Sequence, residues 1–237
     1  MLIAACTGEA VQWSDVSYSA PPLPRHVALG SVSPSPFACP VSVRAVRTGR
    51  MMFAAWWSGR ADSSASLLVA RSGDGGRSWT SPVVADSTDR SVRGCGRPAP
   101  AIDADSTTGY VHIAYFAEPV SGKGVFFAHS MDAGRTFHTP VPIVFGNNAG
   151  AVAVAAEGDR VAVAYEDPNS VQPSIGIAVS HTMGHIFRAG EAVSSPSEHA
   201  KQPAVELRGN RIRVWWSDYS DDPRISATRT AYREGIW

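Results

Sequence analysis

The stretch that decides the fold is Ser72-Gly73-Asp74-Gly75-Gly76-Arg77-Ser78-Trp79. It recurs as Ser130-Met131-Asp132-Ala133-Gly134-Arg135-Thr136-Phe137 and, in a degenerate form, as Ser180-His181-Thr182-Met183-Gly184-His185-Ile186-Phe187. A short Asp side chain accepts hydrogen bonds from backbone N–H groups a few residues later, Gly supplies a positive φ, and the aromatic ring packs against apolar neighbours. The pattern therefore predicts a repeated hairpin turn, with structural roles for Ser72, Asp74, Gly76, Trp79, Ser130, Asp132, Gly134 and Phe137.

Strand-like segments surround each turn in the same order. The most apolar ones end on aromatic residues and cover residues 51–56, 110–115, 160–165 and 211–216. A further strand leads into each turn, over residues 66–71, 124–129, 174–179 and 224–229. Repeats of about 40–50 residues with several strands each are typical of β-propeller blades. We therefore predict an all-β protein, a four-bladed β-propeller of four-stranded antiparallel blades at about 39–87, 97–145, 149–194 and 201–237.

The fourth unit ends at Trp237, before an outermost strand. One alternating segment, residues 11–19, is left over, and we expect it to pair with the last blade as its missing strand. Such pairing would cover a bare sheet edge and close the ring. The Pro-rich residues 20–38 would be a linker to the first blade, within a single domain over 11–237. The competing interpretation is an incomplete ring that oligomerises.

Composition excludes several function classes. Charged residues make up 18% of the chain and the formal net charge is zero, which argues against a nucleic-acid partner. No Gly-rich phosphate loop opens a helix, so we expect no nucleotide cofactor. His181 and His185 are four residues apart, but in a turn this spacing does not indicate a metal site. The acidic residues 218–222 lack a full calcium-loop pattern, and we expect no metal.

The cysteines bear on the cellular compartment. Ile3-Ala4-Ala5-Cys6, within an N-terminal tail over 1–10, resembles the lipobox of bacterial lipoproteins, in which the Cys is lipidated. The alternative is a chance Cys in a tail of small residues. Cys39 and Cys95 are then left as a pair, and they form a disulfide in an oxidising compartment or stay buried thiols otherwise. We expect an extracytoplasmic protein of the bacterial periplasm or membrane-anchored surface.

The Ser-x-Asp-x-Gly-x-x-Trp motif resembles the Asp-box, or BNR repeat, of the sialidase-like propeller superfamily, over about residues 37–237. Sialidases of this superfamily have more blades than the four counted here and hold the substrate carboxylate with three Arg side chains. The position that matches the first Arg reads Ala38-Cys39-Pro40, whereas Arg97-Pro98 in the second unit keeps an Arg. Asp62 lies near the place of the family's acid/base Asp. Tyr165-Glu166 and Tyr219 are candidates for the nucleophile and its supporting carboxylate.

These observations leave two classes of function open. Arg60, Asp62, Arg97 and Glu166 either converge at one mouth of the central channel as a catalytic set or are solvated loop charges. We expect a non-catalytic extracytoplasmic propeller that binds other protein subunits, as an extrinsic part of a membrane-associated complex with a lipid anchor at Cys6. The alternative is a glycan-binding protein or sialidase-like glycoside hydrolase.

Overall fold

A computed structural model describes residues 10–18, 39–195, 199–219 and 229–237. Within these ranges the chain is all-β, apart from a single 3-10 turn at Pro40–Ser42, and no helix is long and apolar enough to cross a membrane. The predicted lipidation site Cys6, the Pro-rich linker 20–38 and the acidic residues 221–222 lie outside the described residues.

The strands form four antiparallel sheets. Two short N-terminal strands are β1 (Gln12–Trp13) and β2 (Ser17–Tyr18). The first sheet contains β3 (Arg44–Thr48), β4 (Met51–Gly59), β5 (Ala65–Ser72) and β6 (Val83–Asp86). The second contains β7 (Ala101–Ala104), β8 (Val111–Ala117), β9 (Gly124–Ser130) and β10 (Val141–Phe145). The third contains β11 (Val152–Glu157), β12 (Arg160–Glu166), β13 (Ile175–Ser180) and β14 (Glu191–Ala192). The fourth contains β15 (His199–Arg208), β16 (Arg211–Tyr219) and β17 (Arg229–Ile236), together with β1 and β2.

The second strands of the two middle sheets, β8 and β12, are apolar and buried on both faces because a neighbouring sheet packs on either side of them. In β4, Phe53 and Trp57 belong to the core shared with the second sheet, whereas Trp56 lies in an apolar cluster on the opposite face. Further cores join the second sheet to the third and the third to the fourth. The ends of β3, β7, β11 and β15 together line a cavity of about 440 Å³. Four sheets that present their first strands to one cavity make a propeller-like fold.

The repeated turns have the predicted geometry. Asp74 Oδ1 accepts hydrogen bonds from the backbone N–H of Arg77 (3.0 Å) and Ser78 (2.9 Å), and Ser72 Oγ accepts one from Gly76 N (2.8 Å). The backbone bond from Ser78 is the main reason why the pKa of Asp74 lies well below its usual range. Gly76 has a φ of 94°, in the left-handed region that favours Gly. The motif is therefore a self-contained hydrogen-bonded turn.

The second turn repeats these contacts, and the third keeps part of them. Asp132 Oδ1 accepts from the N–H groups of Arg135 and Thr136, each at 2.9 Å. In the third turn Thr182 stands where Asp would, and its Oγ1 accepts one backbone bond, from Ile186 N at 2.9 Å. A hydroxyl in place of a carboxylate thus preserves the turn with fewer bonds.

The fourth sheet differs from the prediction in two respects. The segment expected to be one strand over 11–19 forms β1 and β2, and both pair with β17. The sequence predicts the last strand at 224–229 with a turn after it, whereas the structure has β17 over Arg229–Ile236. Residues 230–236 lack the Ser-x-Asp pair that folds the first two turns, and Ala231 and Gly235, on the same face of the strand, are buried.

Candidate functional site at the loop face

The predicted site residues lie at one end of the sheets, here called the loop face. It is formed by the loops that follow the second strand of a sheet (60–64, 118–123 and 167–174) and by those that lead to the next sheet (87–100 and 146–151). Antiparallel topology brings these loops to the same end, because each first strand begins there. Arg60, Asp62, Arg97 and Glu166 all belong to this face.

Arg97 is buried and its guanidinium is bound within the protein. Its Nε and Nη2 donate to Asp89 Oδ2 at 2.9 and 2.5 Å, with both side chains about 2% exposed. Nη2 also donates to the carbonyls of Ser63 (3.0 Å) and Ser91 (2.7 Å), and Nη1 donates to that of Gly94. Arg97 therefore holds the 60–64 loop against the 87–100 loop, with its donors turned towards protein acceptors.

Arg60 and Asp62 form a local turn in the first sheet. Asp62 Oδ1 accepts from Ser64 Oγ (2.5 Å) and Ser64 N (3.0 Å), and these bonds lower its pKa. Arg60 donates to Ser64 Oγ at 3.3 Å, to Ser66 Oγ at 2.5 Å and to the Ser87 carbonyl at 3.3 Å. The structure therefore brings Arg60 and Asp62 to the same loop and gives both of them partners within it.

Glu166 lines a pocket of about 320 Å³ at the beginnings of β3, β7 and β11. Arg44 is the other charged side chain in its lining, and Arg44 Nη1 donates to the carbonyl of Val43 at 2.8 Å. A Cβ at Gly150 would approach the Glu166 Cβ to 2.6 Å and Oε2 to 2.8 Å. A side chain at position 150 would therefore collide with Glu166, so this part of the pocket wall requires Gly150.

Gln202 connects two of the predicted candidates. Its N–H donates to Glu166 Oε1 at 2.9 Å, and its Oε1 accepts from Ser217 Oγ at 3.2 Å and Tyr219 OH at 3.4 Å. Gln202 has a φ of 56° where the β15–β16 register shifts between Lys201 and Ala204. The sequence prediction missed this residue. Pro203 was the available signal, because Pro within a strand marks a bulge.

Large apolar side chains project from the tips of three loops on this face. Val92 is 82% exposed, Val120 is 92% exposed and Val171 is 100% exposed. Val41 and Tyr219 are also exposed at this end. Single exposed apolar residues are ordinary, but here one stands on each of three loops at the same end of the sheets, and we call Val92, Val120 and Val171 the apolar rim.

The loop face is joined covalently to the first sheet. Cys39 precedes the Pro40–Ser42 turn and forms a disulfide with Cys95 in the 87–100 loop. Of the two arrangements left open by the sequence, the structure therefore contains the bonded pair.

Three histidines approach one another at the opposite end of the sheets, near the Ser/Asp turns. One ring nitrogen from each of His129, His138 and His185 lies within 4.8 Å of those of the other two. His129 is buried, and burial together with the two neighbouring rings lowers its pKa to about 4. His181, four residues before His185, packs against Trp237 with ring centroids 4.0 Å apart.

Asp218, the described member of the acidic 218–222 stretch, is bound to Arg229. Its Oδ2 accepts from Nη2 at 3.0 Å.

Comparison with known proteins relates this chain to others by fold. No protein-family model and no curated protein matches it. A Hadza microbial sialidase superimposes on 75% of this chain and 42% of its own, at 19% identity and a TM-score of 0.51. A mutant of the NanB sialidase from Streptococcus pneumoniae superimposes on 89% of this chain and 30% of its own, at 15% identity and a TM-score of 0.53. The chain spans less than half the length of either structure, and the likeness is one of fold.

Proposed function

We propose that this chain is a non-catalytic propeller that docks onto another protein through its loop face. The observation that carries the proposal is the apolar rim made by Val92, Val120 and Val171. Exposed apolar groups cost free energy in water and lose that cost when a partner covers them, at roughly 25 cal/mol per Å². A partner with a complementary apolar surface fits this face.

The charged groups of the loop face support a structural role over substrate binding. Recognition of a carboxylate by Arg needs guanidinium donors that point into a pocket. Arg97 directs its donors to Asp89 and to loop carbonyls, and Arg60 directs its own to neighbouring Ser residues and the Ser87 carbonyl. Both side chains therefore stabilise loops on the face proposed to dock.

The disulfide supports an extracytoplasmic location, because disulfides persist in oxidising compartments. We propose that the protein acts in the bacterial periplasm or on the cell surface, tethered by a lipid at Cys6. In that setting it would be an extrinsic subunit of a membrane-associated complex.

We further propose that the N-terminal segment completes the fourth blade and closes the ring. The pairing of β1 and β2 with β17 supports this completion of the blade, and the hydrogen bond from Trp13 Nε1 to Glu191 at 3.2 Å holds the segment against the third sheet.

Site-specific photo-cross-linking in native membranes tests the docking proposal. A photoreactive residue at position 120 or 171 should yield a discrete protein adduct, and the same residue at Val84 should not. Val84 is a matched control because it is a Val that is 54% exposed on the strand β6 and not on one of the loops. Val120→Glu combined with Val171→Glu should reduce co-sedimentation with the adduct partner at least about tenfold, since buried charges are costly at an interface core. Adducts with lipid alone, or equal adducts at all three positions, would overturn the proposal.

A second candidate, glycan binding or sialidase-like hydrolysis, is favoured by one observation. Gln202 brings Glu166 and Tyr219 into one hydrogen-bonded set beside the Arg44 pocket. A panel of fluorogenic glycosides tests it. Turnover that disappears in both Glu166→Gln and Tyr219→Phe would establish hydrolysis and refute the non-catalytic proposal. Absence of turnover in the wild-type protein would count against hydrolysis but not against glycan binding.

A further inference from the structure

The strongest cluster of metal-binding side chains lies far from the loop face. His129 is the residue before the last in β9 and His138 follows the second turn, so both come from the second sheet. His185 belongs to the third turn and so comes from the third sheet. The ring centroid of His129 lies 4.5 Å from that of His138 and 4.6 Å from that of His185. The three imidazoles therefore meet where two neighbouring sheets pack together.

His129 is the buried member and it has an unused nitrogen. It is 4% exposed, and its Nε2 is buried with no hydrogen-bond partner among the described residues. A buried imidazole nitrogen without a partner is costly, since burial removes its bonds to water. A ligand that accepts the nitrogen lone pair would remove this cost.

His185 has one ring nitrogen held by the protein and the other free. Its Nδ1 donates to the Thr182 carbonyl at 2.7 Å, which leaves the Nε2 lone pair free. Metal-bound His residues usually make such a bond from the other ring nitrogen, because it fixes the ring and the tautomer. His138 and His185 are both exposed, so an ion and a water molecule can reach the cluster from solvent.

We propose that His129, His138 and His185 form a binding site for a late first-row divalent cation, with Zn²⁺ as the reference ion. Imidazole nitrogens suit zinc, copper(II) and nickel, whereas calcium and magnesium require oxygen ligands. Zinc takes tetrahedral sites with Zn–N distances of about 2.0–2.1 Å, so the ligand nitrogens must lie roughly 3.4 Å apart. Rotation of the two exposed rings closes the present separation of up to 4.8 Å. A water molecule from solvent takes the fourth position.

The cation would clamp the second sheet to the third. Because the ligands come from both sheets, binding requires the sheets to be packed and therefore favours the folded state. A ligand that binds the folded state alone raises the unfolding free energy in proportion to the logarithm of its concentration over Kd. The clamp is independent of any partner at the loop face.

Zinc titration of the tag-free, chelator-treated protein tests this site. We expect one Zn²⁺ per chain by calorimetry and a melting temperature that rises with zinc concentration. His138→Ala and His185→Ala should each weaken binding by more than the roughly 10–100-fold that loss of an outer-shell partner costs. Both positions are exposed, so these variants should fold. His181→Ala is the matched control, since it removes an exposed His from the same turn but lies outside the cluster.

Cobalt provides a second measurement that reports geometry. Co²⁺ in a tetrahedral site gives visible absorption, which should appear in the wild-type protein and in His181→Ala and vanish in His138→Ala and His185→Ala. Zinc binding that is equal in the control and the two cluster variants would overturn the proposal. So would zinc-independent melting in the wild-type protein.

Discussion

At the scale of single residues, the contact between Tyr115 and Asp86 joins two sheets. Tyr115 lies in β8, and its hydroxyl donates to Asp86 Oδ2, at the end of β6, at 2.8 Å. Trp57 packs edge-on against the same ring, with centroids 5.6 Å apart. Burial, followed by the Asp86 carboxylate, raises the pKa of Tyr115 well above its usual value. The pair therefore binds the proton more tightly in the folded protein than in the unfolded chain.

Tyr115→Phe should lower the free energy of unfolding by about 1–2 kcal/mol at neutral pH, because the buried Asp86 carboxylate loses a donor. Stability from the raised pKa is fully present below the unfolded tyrosine pKa of about 10 and is lost as pH rises above it. Urea unfolding should therefore show a steeper decline above pH 10 in the wild-type protein than in Tyr115→Phe. Tyr110→Phe serves as control. Parallel declines in all three proteins would show that the pair does not retain its proton.

At the scale of elements, the first two Ser/Asp turns depend on one carboxylate each. Asp132→Ala removes the acceptor for the N–H groups of Arg135 and Thr136, and we expect a loss of about 1–2 kcal/mol. Asp132→Asn keeps an acceptor oxygen and should cost less. Chemical denaturation measures both variants. If Asn were as damaging as Ala, the negative charge and not the hydrogen bonds would hold the turn.

The short sequence range of these hydrogen bonds explains which elements can be predicted from the sequence. The turns follow from contacts within a few residues, and β4, β8 and β12 follow from apolar residues on both strand faces. The bounds of β17 were harder to predict, because residues 230–236 form no turn and instead pair with β16 on one side and with β1 and β2, from the other end of the chain, on the other.

The candidate sites were less predictable than the strands, for the same physical reason. The N–H of Gln202 donates to Glu166, which lies 36 residues earlier in the sequence, and the position of Gln202 follows from a bulge in β15. The histidine cluster joins residues of two sheets, and His181, at the more suggestive sequence spacing, is not part of it. The spacing of residues in the sequence therefore reveals a site only when all residues of the site lie in one strand or turn.

At the scale of the whole molecule, the two ends of the sheets have different chemistry. The loop face combines an apolar rim with charged groups that hold its loops, whereas the turn end carries the histidine cluster at a sheet–sheet junction. The proposed docking surface and the proposed metal site lie at opposite ends of the sheets. A variant that loses one kind of binding should therefore keep the other.

The N-terminal segment is the part of the molecule whose loss should matter most to the whole fold. Val11 is buried in the core shared by the third and fourth sheets, and a Cβ at Gly235 would lie 2.4 Å from its side chain. Ser14 adds a backbone bond to the Glu234 carbonyl at 2.8 Å. Without this segment the edge of β17 is open to pairing with another chain.

Deletion of residues 1–19 should therefore lower the free energy of unfolding by several kcal/mol. Burial of Val11 alone contributes roughly 1.5–3 kcal/mol, and the lost strand pairing adds to it. Deletion of residues 1–9 is the matched control, since it keeps β1 and β2 in place. Urea unfolding should separate the two truncations, and light scattering should detect self-association of the longer deletion through its bare edge. If both truncations unfolded at the same urea concentration and stayed monomeric, the segment would not be a structural strand and the proposed closure of the ring would fail.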